Sequence, residues 1–136
     1  MKKYQFFYLA FFFIFLDQFI KLLVHNNMPL YSEISLIGDF IKLHHIENPG
    51  MAFGINFDFK YTKLILTLFR LFASVVIGMY LKYIIANNFN KTLILSTTMI
   101  FSGAVGNVID SVFYGILLNN SPKNAPFELF NGQVVD

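Results

Sequence analysis

The chain has 136 residues, 56% of them hydrophobic and 13% charged, with 18 Phe, no Trp, no Cys and a formal net charge of +2. That composition points to a membrane-embedded protein, because a soluble domain of this length could not bury so much Phe. The small charge and the lack of a Lys/Arg cluster exclude a nucleic-acid binder, and the missing Cys excludes disulfides, thiolate metal sites and a thiol nucleophile.

After Met1-Lys2-Lys3, the segment "YQFFYLAFFFIFLDQFIKLLV" is long enough at about 1.5 Å per residue to cross a hydrocarbon core. No small-residue cleavage site follows the Phe run, so it reads as a retained transmembrane helix, about 5–24, rather than a signal peptide. Turn residues at Met28-Pro29, Ile37-Gly38-Asp39 and Asn48-Pro49-Gly50 punctuate stretches such as "DFIKLHHIE", which predicts a β-rich lobe over about 28–60. Two further spans follow, about 64–85 and 92–110, joined by "ANNFNK". Residues 111–136 hold Asn-Asn, Ser-Pro and Ala-Pro breakers and read as a loop.

Lys2, Lys3, Lys82 and Lys91 favour a cytoplasmic N-terminus, although Lys42, Lys60 and Lys63 lie in the opposite loop. The first and third spans then both run outward, and they bring Asp17 and Lys21 together with Asn107 and Asp110 on the side of the lobe. Each polar group inside a span is costly unless paired, so each marks a candidate site.

Four constellations follow from this rule. Asp17 and Lys21 are four apart on one helix face, as a simple ion pair or as the support of a polar site. In "ENPGMAFG", Asn48 offers a donor and an acceptor beside Gly50, which allows close backbone approach and suits an extended peptide; a bare turn is the alternative. In "SGAVGNVID", the small residues suit helix packing, but Asn107 and Asp110 need a partner. The terminal "GQVVD" ends on Asp136, by itself an ordinary solvated carboxylate. His44 and His45 are adjacent and point to opposite faces of a strand, so even with His25 and Glu47 no metal site is expected. Arg70 either snorkels or pairs with a carboxylate.

Taken in order, "DQFIK", "NPGMAFG", "GNVID" and "GQVVD" resemble the motifs of the bacterial lipoprotein signal peptidase (type II signal peptidase) family, from about Asp17 to Asp136. The resemblance implies an all-α membrane protein, a helical bundle of four transmembrane helices of which three are expected here, with a small extracytoplasmic β-cradle. It implies structural and substrate-binding roles for Asp17, Lys21, Asn48, Gly50, Ala52, Phe53, Asn107 and Asp110, and a catalytic role for Asp136. The second catalytic aspartate belongs to a later F-N-x-A-D motif on the fourth helix; "LFNGQVVD" has Phe130-Asn131 before the V-V-D and no Ala-Asp after it. The chain is therefore expected to be a truncated, inactive piece, unless Asp110 pairs with Asp136 in the missing carboxylate's stead.

The implied reaction is aspartic peptide hydrolysis without cofactor or metal, in which one carboxylate activates water and the other donates a proton. The implied substrate is a prolipoprotein in the bacterial inner membrane, cut before a diacylglyceryl-modified cysteine, with membrane lipid as the other partner. Ser111 stands where the family commonly has Arg, and the stretch from Ser111 to Gly132 is longer than usual. The competing class is a non-enzymatic membrane protein that uses Asp17, Lys21 and Asp110 as an ion-pair network for assembly or ion passage.

Overall fold

The Phe-rich first segment forms helix α1 (Gln5–Asn27) in the computed structural model, which describes residues 5–48 and 60–135. No Gly or Pro interrupts α1, so its backbone groups are satisfied within the helix, as a bilayer demands. It ends where Pro29 disfavours helical geometry for the residue before it, and the Asn27 side chain donates to the Leu23 carbonyl at 2.8 Å. Two further helices follow, α2 (Thr62–Ala86) and α3 (Lys91–Ile109). The α3 N-terminus is capped by Asn90, whose side chain accepts from the Thr92 amide at 2.8 Å.

Beyond Ile109 the third helix does not stop. It passes through a π-helical turn, Asp110–Tyr114, and a last α-turn, Gly115–Leu117. The loop expected from residue 111 therefore begins only after Leu117. Val112, Phe113, Ile116 and Leu117 extend the apolar span, and the first breakers come at Asn119-Asn120. Among the described residues, three helices are long and apolar enough to cross a membrane: Gln5–Asn27, Thr62–Ala86 and Lys91–Leu117.

Side-chain register fixes the directions. Ala10 faces Ser102, Gln18 reaches Gly106 and Lys21 reaches Asp110, so α1 and α3 run parallel. Helix α2 runs antiparallel to α3, with Ile84 and Ile85 clustered on Ile94 at one end and Arg70 on Ser111 at the other. Phe11, Phe15, Phe69 and Phe72 point outward from the bundle, more than half exposed. In water such a surface would aggregate; against lipid tails it is solvated.

Among the described residues of the expected lobe and the chain's end, two small antiparallel sheets form. Strands β1 (Glu33–Ile37) and β2 (Ile41–His44) form a hairpin whose turn uses Gly38 at φ 50°. Strand β3 (Glu47–Asn48) pairs with β4 (Val134–Val135), in register Glu47 to Val135 and Asn48 to Val134. The end of the described chain is thus sewn to the lobe.

Candidate active site

Asp17, Gln18 and Lys21 occupy one face of α1 near its lobe end, against Gly106, Asn107 and Asp110 of the third helix. The Lys21 ammonium has three protons to give and finds three acceptors: Asp110 Oδ2 at 2.8 Å, Asn107 Oδ1 at 2.9 Å and Asp17 Oδ2 at 3.2 Å. Gln18 Nε2 donates to the other Asp110 oxygen at 2.8 Å, and Gln18 Oε1 accepts from the Tyr114 hydroxyl at 3.0 Å. Asp110 is 0% exposed. Both of its oxygens are engaged, which is what a carboxylate needs to persist away from water. Gly106 makes room for this: a Cβ there would collide with the Asp17 carboxylate.

The structure therefore brings Asp17, Lys21, Asn107 and Asp110 together. It adds two members that the sequence reading missed. Gln18 sits inside the quoted "DQFIK", and the rule that treats every polar group in a span as costly applies to it as well. Tyr114 was hidden because its segment reads as loop.

The remaining motif residues converge from the other side. The segment leading into β4 lies over the π-helical turn: the Gly132 amide donates to the Ser111 carbonyl at 3.0 Å, and the Phe130 amide to the Val112 carbonyl at 3.0 Å. From α2, the Thr67 hydroxyl donates to the Phe130 carbonyl at 2.8 Å. Asn120 holds Gln133 through three hydrogen bonds of 2.8–3.1 Å. Gly132 is required by this crossing, because a Cβ there would strike the Asp110 carbonyl and come within 2.7 Å of the Gly115 amide nitrogen. The π-helical turn is where Asp110 faces α1 and Ser111 faces α2, both buried.

Arg70 Nη1 donates to Ser111 Oγ at 2.7 Å. A cation from α2 thus reaches the position at which the resemblance leads one to expect Arg on the third helix. On the lobe, Asn48 pairs with Val134 through β3, and Lys63 Nζ approaches the Asn48 carbonyl at 3.4 Å. Gly50, Ala52, Phe53 and Asp136 lie outside the described residues.

Val135, the residue before Asp136, lines a hollow of about 220 Å³ together with Asp17, Lys21, Val24 and Leu43. The polar network and the V-V strand therefore share one cavity, walled mostly by apolar side chains. His44, the last residue of β2, and His45, just beyond it, point different ways. His44 stays exposed near Glu33, while His45 turns inward towards His25 and Glu47, the three side chains that could hold a cation.

The family model described as "Signal peptidase (SPase) II" matches residues 9–136. The lipoprotein signal peptidase of Amoebophilus asiaticus is 42% identical over 141 aligned residues, covering 99% of this chain and 58% of that protein. That of Porphyromonas gingivalis is 34% identical over 130 residues, 88% of this chain and 56% of that protein. That of Halothermothrix orenii is 35% identical over 106 residues, 78% of this chain and 69% of that protein. The chain thus spans a little over half the length of the first two relatives. No solved structure matches it. With a match running through every described element from α1 to β4, the chain belongs to the signal peptidase II family.

Proposed function

We propose that this chain is the body of a membrane-embedded aspartic endopeptidase that removes signal peptides from prolipoproteins by cutting before a diacylglyceryl-modified cysteine. The observation that carries the reading is the β3–β4 register, which joins Asn48 of one motif to Val134 of another 86 positions away and sets Val135 into the Asp17–Lys21 hollow. Motifs scattered over the sequence serve one place.

In this reading Asp136 is the general base that activates water, and its partner carboxylate belongs to an F-N-x-A-D motif on a fourth helix. Asp17, Lys21, Asn107 and Asp110 hold the helices that present the strand, and Asn48 and Gly50 grip the extended peptide. Asp110 is a poor substitute for that second carboxylate, since Lys21 and Gln18 already occupy both of its oxygens. The lipid of the substrate would lie against the exposed Phe-rich faces. The lobe and the site would stand at the outer face of the bacterial inner membrane, with the N-terminus in the cytoplasm.

The experiment compares the 136-residue chain with the same chain extended by a fourth helix carrying F-N-x-A-D, each given a lipidated prolipoprotein peptide in micelles. The extended chain should cleave before the lipidated cysteine and lose about 10²–10⁴-fold in rate on Asp136→Asn. Cleavage that survives that substitution unchanged overturns the assignment of Asp136.

A further inference from the structure

We propose that His25, His45 and Glu47 form a binding site for a divalent transition-metal ion, zinc by preference, which ties the end of α1 to strand β3. One ligand atom from each of the three side chains lies within 4.8 Å of the other two. His25 Nδ1 is 3.6 Å from Glu47 Oε1. Bonds of about 2.0–2.1 Å around a tetrahedral zinc ion put neighbouring ligand atoms roughly 3.3 Å apart, so the His25–Glu47 edge is nearly formed and the His45 edges, within 4.8 Å, need close by no more than about 1.5 Å.

Hydrogen bonding makes the case independently of the spacing. His45 is 2% exposed, and its Nδ1 lies 2.8 Å from the Met28 carbonyl, which can only accept. Nδ1 therefore carries a proton, and in the neutral ring Nε2 presents a bare lone pair; that nitrogen is buried and has no hydrogen-bond partner among the described residues. A histidine whose second ring nitrogen donates to a backbone carbonyl is the usual arrangement of a metal-ligating imidazole, oriented and made more basic by that bond. His25 Nδ1 is likewise buried without a hydrogen-bond partner among the described residues, and the two rings stand edge to face at 79° with centroids 5.8 Å apart.

An ordinary buried pair explains less. A His25–Glu47 ion pair beside a packed histidine leaves His45 Nε2 desolvated for nothing, whereas a cation satisfies both orphan nitrogens at once. Two imidazoles and one carboxylate select zinc and its neighbours over magnesium or calcium, which prefer all-oxygen sets. The donor set leaves a fourth position for water. Placed between the α1 terminus and β3, the ion would brace the strand that pairs with β4. The site itself does not depend on the peptidase assignment.

The test uses the 136-residue chain, untagged, stripped with EDTA and held in detergent micelles. Titration with Co²⁺ should give visible d–d absorption that saturates at one equivalent and is displaced by Zn²⁺. His25→Gln, His45→Gln and Glu47→Gln should each weaken Zn²⁺ binding at least tenfold in competition with a chromophoric chelator. His44→Gln, whose side chain faces Glu33, should leave it unchanged. Zn²⁺ should also raise the Tm of the unmodified chain. Failure of the unmodified chain to bind Co²⁺ saturably overturns the site whether or not the variants fold. So does affinity that persists in His45→Gln, or that is lost in His44→Gln.

Discussion

The two ends of the helix bundle are held by different chemistry. At the end away from the lobe, Phe6, Leu81, Ile84, Ile85 and Ile94 form an apolar cluster. At the lobe end, Lys21, Gln18 and Tyr114 knit α1 to Asp110 and Asn107. Lipid tails are as apolar as Leu, so the first cluster gains little from the hydrophobic effect and contributes mainly shape and dispersion. The second cannot rearrange without stranding a charge, so it specifies one register of α1 against α3. Geometry that must be exact for function is therefore written in polar residues, and geometry that need only be close is written in apolar ones.

The strongest way to break this contrast is Asp110→Ala. It leaves the largely buried Lys21 side chain with the partly exposed Asp17 as its counter-charge, at a cost of about 3–5 kcal/mol in thermal or denaturant unfolding in micelles. Replacing the pair together, Lys21→Met with Asp110→Leu, should recover much of that loss because no charge is stranded. A double variant as unstable as Asp110→Ala would show that shape, not charge, sets this end. Next comes Gly132→Ala. Its methyl group must displace the backbone at Asp110 and Gly115, which places the cost at about 1–3 kcal/mol. Amide exchange should rise first at Gln133–Val135, and the extended peptidase should lose activity before it loses its helices.

How much of this was legible in the sequence follows the same division. The three spans were readable because apolar runs of membrane length have one meaning, and the parallel placement of Asp17 and Lys21 beside Asn107 and Asp110 followed from counting spans. The continuation to Leu117 was obscured because a helix that changes to π geometry at Asp110 keeps no simple period, and the charge looked like an end. Strand β4 is two residues long and exists only by pairing with β3, so no local signal marks it. His45 follows the end of β2, where strand alternation no longer governs direction, and this hid its meeting with His25. For Arg70 the sequence leaves snorkelling and pairing with a carboxylate both open, and its hydrogen bond to Ser111 requires the fold.

The apolar end offers the complementary test. Ile84→Val removes one methylene from a side chain that is 0% exposed, and should cost about 0.5–1.5 kcal/mol in the same unfolding assay. The distance from Ile84 to the lobe end predicts that cleavage by the extended peptidase stays at its original rate once the protein is folded. A drop in rate without a matching drop in stability would mean that the two ends are coupled, and the contrast between them would fail.

Ser102 stands at the seam between the two regions, and Ser102→Ala is the mildest of these changes. Its hydroxyl has one proton, shared between Thr98 O at 2.8 Å in its own helix and Ala10 O at 3.2 Å across the interface. The shorter bond is local and holds nothing together between helices. The longer one is a cross-helix bond of the kind worth about 0.6 kcal/mol inside membranes. Alanine keeps the small contact surface that lets α1 approach α3, so only the weak half of a shared hydrogen bond is lost. The expected result is a stability change no larger than about 0.6 kcal/mol, with the Lys21–Asp110 register intact as read by unaltered cleavage. A loss of several times that size would place the register-setting contacts further down the helices than the polar cluster, at the point where Ala10 meets Ser102.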